Sequence, residues 1–134
     1  MRYLDTSAFL KLLVAEDESE DLRAAVADAD LWSSTLLDIE AHRAARRLGV
    51  DRSRVTEAIE VVTLVFPAET TFATARTVGP DTLRTLDALH LATALELGAD
   101  LEAVVTYDAR LAAGCEALEL SVVTPGRTGT WWRA

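Results

Sequence analysis

Five short apolar runs punctuate this chain, and stretches of helical spacing separate nearly all of them. Arg2-Tyr3-Leu4-Asp5, Leu31-Trp32-Ser33-Ser34, Leu64-Val65-Phe66-Pro67, Ala103-Val104-Val105-Thr106 and Leu120-Ser121-Val122-Val123 read as the strands. Strands that alternate with helices form parallel βαβ units, because a parallel neighbour is reached only by a crossover. The expected fold is therefore α/β: a three-layer α/β/α sandwich around a central, mostly parallel sheet of about five short strands. At 134 residues the chain reads as a single domain over 1–134.

The intervening segments carry helix signals. Thr6 or Ser7 is placed to cap a helix from Ala8 to about Ala15. Acidic Glu16 to Glu20 precedes Leu22, Ala25, Val26 and Ala29 at helical spacing. Thr35 is the expected N-cap of a helix that runs to Leu48 and stops at Gly49. Asp51-Arg52-Ser53 opens another, and Thr70 to Val78 a further one that breaks at Gly79-Pro80. Leu83 to Leu97 is the most strongly helical stretch, and Asp108 to Ala117 the last.

Four acids stand where these elements start or end. Asp5 closes the first strand, Glu40 lies in the first turns after Leu36, Asp87 sits within Leu86 to Ala92, and Asp108 follows the fourth strand. Parallel α/β sheets bind ligands beyond the carboxyl ends of their strands, at a topological switch point. Asp5 and Asp108 belong on that rim, whereas Glu40 and Asp87 must reach it from helices. Gathered there with no lysine, the four would repel one another, and a divalent cation with hard oxygen ligands is the simplest remedy. That points to a metal-dependent enzyme acting on phosphate esters, with two cations ~4 Å apart in its fullest form. Two histidines and one cysteine without ligand spacing speak against zinc.

Each acid also has an ordinary role to weigh. Asp5 and Asp108 suit helix capping, and Glu40 could pair with Arg43 three residues on. Asp87, crowded by Leu86, Ala88, Leu89, Leu91 and Ala92, is harder to explain away, because a buried charge needs a partner.

Composition bounds the partners. Half of the residues are apolar and 26% are charged, so a normal core is expected rather than disorder. No apolar run approaches the roughly 20 residues of a membrane span, and no signal-peptide pattern opens the chain. Cys115 is the only cysteine, which rules out an internal disulfide, fits a cytoplasmic location and reads as a buried structural thiol. With 22 acidic against 13 basic residues, the net charge of −9 argues against a general nucleic-acid surface. It leaves a nuclease open, since bound metal reverses the sign at the site.

Leu4-Asp5-Thr6-Ser7-Ala8, Glu40, Asp87-Ala88-Leu89-His90-Leu91-Ala92-Thr93-Ala94 and Val105-Thr106-Tyr107-Asp108-Ala109-Arg110-Leu111 together resemble the PIN domain, in the form of the VapC-type toxins of bacterial type II toxin–antitoxin pairs. The resemblance covers essentially the whole chain, in order. It implies a PIN-like sandwich and a Mg²⁺- or Mn²⁺-dependent endoribonuclease that cuts structured RNA, of the tRNA or rRNA class, and arrests translation. Asp5, Glu40, Asp87 and Asp108 match the family's acidic metal-binding quartet; Ser7 and Thr106 match its supporting hydroxyls. The attacking group would be a metal-activated water, leaving 5′-phosphate and 3′-hydroxyl ends. The resemblance further implies a homodimer and a cognate VapB-type antitoxin whose C-terminal segment fills a groove over the site.

Other residues stay open between two uses. His90, three residues after Asp87, suits a hydrogen-bonded structural histidine better than a phosphate contact. Arg43, Arg46 and Arg47 are the best candidates for contact with an RNA backbone, or else a solvated helix end. Arg84 and Arg110 are placed to neutralise Asp87 and Asp108. Trp131-Trp132 either packs back on the domain or joins an interface, and the stripe Phe9, Leu10, Leu12, Leu13 and Val14 is core by default. Two rival classes fit less well. A receiver domain would want paired acids near the first strand and a lysine after the last; a haloacid-dehalogenase-like phosphatase would want an aspartate where Ser7 stands. A binding module that keeps the pocket without turnover is a third reading.

Overall fold

A computed structural model describes residues 1–133. Strands β1 (Arg2–Leu4), β2 (Leu31–Ser34), β3 (Thr63–Val65), β4 (Ala103–Val105) and β5 (Val122–Val123) form one sheet. Its order is β3-β2-β1-β4-β5, and every pairing is parallel. The chain leaves β1 in one direction toward β2 and β3, then returns to add β4 and β5 on the other side. The reversal falls between β1 and β4, the switch point beyond whose strand carboxyl ends such sheets place their ligands.

Among the described residues seven α-helices cover the two faces: α1 (Thr6–Leu13), α2 (Ser19–Val26), α3 (Leu36–Leu48), α4 (Arg52–Ile59), α5 (Glu69–Ala75), α6 (Thr85–Glu96) and α7 (Ala109–Ala117). Strand alternation builds the layers. Leu4 and Val105 enter the core beneath α1 to α4, with Phe9, Leu22, Leu37 and Val55. Their neighbours Tyr3 and Val104 point the other way, into a second core with Leu91 of α6 and Leu111 and Cys115 of α7. The result is the expected α/β/α sandwich.

Several boundaries move, each for a local reason. Asp5 rather than Thr6 or Ser7 caps α1, because its Oδ1 accepts the Ala8 N–H at 2.9 Å. At α3 the Ser34 hydroxyl accepts the Leu36 N–H at 3.1 Å, and Thr35 makes no side-chain cap. Gly49 ends α3 as expected, in the left-handed conformation at φ 70° that glycine adopts without a Cβ penalty. Helix α6 starts at Thr85, since a turn joining Pro80 O to Leu83 N–H holds Leu83 outside it. Strand β3 stops at Val65 and leaves Phe66 82% exposed.

The C-terminal tryptophans pack back on the domain. Trp131 Nε1 donates to Thr124 Oγ1 and Trp132 Nε1 to Glu116 of α7. Of the α1 stripe, Phe9 and Leu13 are buried, and Leu10, Leu12 and Val14 pack partly against the same core. Among the described residues no helix is long and apolar enough to cross a membrane.

Candidate active site

Asp5 leaves the end of β1 at the switch point and meets β4 across it. Thr106 Oγ1 donates to Asp5 Oδ2 at 2.6 Å, while Ser7 Oγ and the Ala8 N–H donate to Oδ1 at 2.7 and 2.9 Å. The two hydroxyls have little choice of role. Ser7 Oγ accepts the Tyr107 N–H at 2.9 Å and Thr106 Oγ1 accepts the Asp108 N–H at 3.0 Å, which leaves each hydroxyl proton for the carboxylate. Burial pushes the Asp5 carboxyl above its ordinary range, and the Thr106, Ser7 and Ala8 bonds oppose that shift.

Asp87 occupies the first turn of α6, where the helix dipole favours a carboxylate. Its environment differs. Burial raises its pKa and the charge of Asp108 raises it further; Arg84, from the cap position, pulls the other way. Among the described residues, Asp87 Oδ2 is buried without any hydrogen-bond partner. A buried carboxylate oxygen that lacks a donor and feels a second negative charge is one that a cation could satisfy.

Asp108 stands one step past Thr106 and caps α7, its Oδ1 accepting the Arg110 and Leu111 N–H groups at 2.8 and 3.0 Å. Asp5 and Asp108 are thus both helix caps on the rim beyond the strand ends. Glu40, on α3, does not pair with Arg43. Its Oε1 takes the Thr6 hydroxyl at 2.9 Å and lies 2.7 Å from His90 Nε2. Burial pushes the Glu40 carboxyl upward, but the His90 and Thr6 contacts outweigh it, and the group ends below the usual range.

His90 is 3% exposed, with Nδ1 at 2.7 Å from the Tyr3 hydroxyl, so it is the hydrogen-bonded histidine the sequence suggested. Whenever its ring carries a charge, His90 pulls the Asp5, Glu40 and Asp87 carboxyls downward alike. The role of Thr6 and Tyr3 around it was not legible, because those partners come from β1 and α1, far away in sequence. Arg43, Arg46 and Arg47 are exposed on the outer side of α3 and line a shallow cavity of about 350 Å³. Cys115 is buried, and burial with the charge of Asp5 pushes its thiol up to about 12, which makes it inert.

The donors fit a hard cation. They are oxygens on one rim, and one of them is orphaned. Among the described residues no three acidic, histidine or cysteine side chains already converge into a cage. The four acids are therefore not brought into one ready-made ligand cage, although a hard cation can bind through one or two protein carboxylates alone.

This arrangement accompanies a family match: the PIN domain model covers residues 2–116. The chain belongs to the PIN domain family. Within it the chain is of the VapC type. It is 38% identical to Ribonuclease VapC47 of Mycobacterium tuberculosis over 136 aligned residues, covering 94% of this chain and 98% of that protein. Ribonuclease VapC35 of the same species is likewise 38% identical, over 133 residues and 95% and 98% of the two chains. A solved structure described as a toxin–antitoxin complex from Klebsiella pneumoniae superposes with a TM-score of 0.69 over 93% of this chain and 98% of that one. At 20% identity that likeness speaks to the PIN fold alone.

Proposed function

We propose that this PIN domain protein is a Mg²⁺- or Mn²⁺-dependent endoribonuclease toxin of structured RNA, of the tRNA or rRNA class. The observation that carries the proposal is the unpartnered Asp87 Oδ2, buried beside Asp108 on the rim where Asp5 is fixed. The names of the relatives support the reaction class, and the all-oxygen donor set supports the metal.

Asp5 and Asp87 are the main ligands, with Glu40 and Asp108 as further ligands, direct or through water. Bound there, the cation supplies Lewis acidity toward a phosphodiester and lowers the pKa of water. The chain's own contribution is orientation. Ser7 and Thr106 hold both oxygens of Asp5 with their protons donated inward, so the carboxylate keeps one pose through turnover. Thr6 and His90 do the same for one oxygen of Glu40. Hydrolysis adds water across the P–O3′ bond, leaving a 5′-phosphate and a 3′-hydroxyl. Arg43, Arg46 and Arg47 contact the RNA backbone away from the acidic rim and offset the net charge of −9.

The biological reading follows. A single domain over 1–134 acts in the cytoplasm as a homodimer, inhibits translation, and is held silent by a cognate VapB-type antitoxin. End-mapped cleavage of total RNA tests it. Discrete cuts with 5′-phosphate ends, lost with EDTA and in Asp5→Asn and Asp87→Asn, are expected. Metal-independent cutting, or equal activity in the variants, would overturn the four-acid mechanism.

A further inference from the structure

Tyr3, His90, Glu40 and Thr6 form a chain of hydrogen bonds that no simple core requirement explains. Tyr3 comes from β1, His90 from α6, Glu40 from α3 and Thr6 from α1, so one relay ties four elements at the rim. Three of its links are short: Tyr3 Oη to His90 Nδ1 at 2.7 Å, His90 Nε2 to Glu40 Oε1 at 2.7 Å, and Thr6 Oγ1 to Glu40 Oε1 at 2.9 Å. The tyrosine and histidine rings meet edge to face, with centroids 5.8 Å apart and planes at 73°. Both rings are almost fully buried, Tyr3 at 1% and His90 at 3% exposure.

Donor and acceptor logic narrows the direction of this relay. The Glu40 carboxylate can only accept, so Nε2 must carry a hydrogen. The buried phenol needs an acceptor for its own hydrogen; Nδ1 lies at 2.7 Å, while Ser33, Ser34 and Thr93 also neighbour the phenol. A neutral imidazole with Nε2–H and a bare Nδ1 satisfies both ends at once without a charge; an imidazolium would need the phenol hydrogen to turn to another acceptor. The opposite tautomer would set a lone pair against the carboxylate.

We propose that His90 is a positioning residue for Glu40, locked by Tyr3 as the Nε2–H tautomer. Together with Thr6 it commits Oε1 of Glu40 and leaves Oε2 as the oxygen offered to the cation. Partners behind a metal-binding carboxylate act in this way elsewhere, and losing one costs about 10- to 100-fold in metal affinity. The relay's metal role rests on the proposed nuclease reading; the tautomer does not.

Two measurements on the full-length chain test it. Ring ¹⁵N–¹H spectra of the metal-free protein at neutral pH should show His90 protonated on Nε2 and bare on Nδ1, and Tyr3→Phe should loosen that preference. A His90 protonated on Nδ1 would overturn the proposal. Mn²⁺ titration reads the second part. His90→Leu should weaken binding about 10- to 100-fold, and His90→Gln, whose amide can still donate to Glu40, should recover most of the loss. In a Glu40→Gln background, His90→Leu should change nothing further. Mn²⁺ affinity equal to wild type in a folded His90→Leu variant, or a loss that persists unchanged in the Glu40→Gln background, would sink the positioning role. RNA cleavage is scored separately, so absent nuclease activity would strike the functional reading and leave the ring spectrum to judge the relay.

Discussion

Asp5 and Asp87 are two carboxylates on one rim, both pushed upward in pKa by burial, and the protein treats them in opposite ways. Asp5 receives three hydrogen bonds, from Ser7, Ala8 and Thr106. Asp87 keeps a buried oxygen with no partner and faces the charge of Asp108. The first is held by three donors; the second has one buried oxygen without any, and under the proposed function a cation would fill that place. A fold selected only for stability would have given Asp87 a donor or replaced it, because an unsatisfied buried oxygen costs about 1–3 kcal/mol.

The sharpest break of this comparison is in catalysis. Asp5→Asn and Asp87→Asn should each lower RNA cleavage by ~10³-fold or more, since metal stabilisation of the transition state is worth several kcal/mol. Single-turnover rates on a mapped substrate check this, and a variant within tenfold of wild type would remove that residue from the mechanism.

Next in size is the support behind Asp5. Thr106→Val deletes the donor to Oδ2 and the acceptor of the Asp108 N–H together. It should cost about 1–3 kcal/mol in urea unfolding and about 10- to 100-fold in activity. Thr106→Ser keeps the hydroxyl and should recover most of both. No loss in the valine variant would mean that Asp5 is not held from β4 in any way that matters.

Asp87 should behave in the reverse sense when metal is absent. Its folded pKa lies above the ordinary value of 3.8, so between those two values the folded state binds a proton that the unfolded chain has released. Stability from this group is therefore present at low pH and lost as pH rises through that window. In EDTA at neutral pH, Asp87→Asn should be about 1 kcal/mol more stable than wild type, given partial exposure. The gap should close below pH 3.8. A destabilised Asp87→Asn at neutral pH would mean that Asp87 has a structural partner after all.

The smallest effect lies farthest from the rim. Replacing Arg43, Arg46 and Arg47 by alanine should leave the maximal rate nearly unchanged, raise KM and flatten the salt dependence. The expected change in slope is about 0.7 for each phosphate that an arginine no longer neutralises. An unchanged slope would return these arginines to a solvated helix end.

The same contrast explains what the sequence disclosed. Asp5 and Asp108 were legible because alternation of strand and helix puts a residue just after a parallel strand on the ligand rim, whatever the packing details. Asp87 was legible because acids are rare in a run as apolar as Leu86 to Ala92. Glu40 was nominated as a candidate from its position, but its partner was not legible: Arg43 lies close in sequence, while His90 reaches it from α6, a helix packed on the other core. The cap of α1 stayed open between Asp5, Thr6 and Ser7 for a related reason. Asp5, Thr6 and Ser7 are all good caps, and the choice fell to Asp5 because the Ser7 hydroxyl is already engaged with β4 through the Tyr107 N–H. Local chemistry selects candidates, and tertiary contacts decide among them.

Thermal and urea unfolding with and without Mg²⁺, on wild type and Asp87→Asn in parallel, test the central claim most directly. If Asp87 is held for a cation, Mg²⁺ at about 100 times its Kd adds about 2.7 kcal/mol to the wild type and almost nothing to Asp87→Asn. Equal stabilisation of the two would contradict the account, and the cation would have to bind elsewhere.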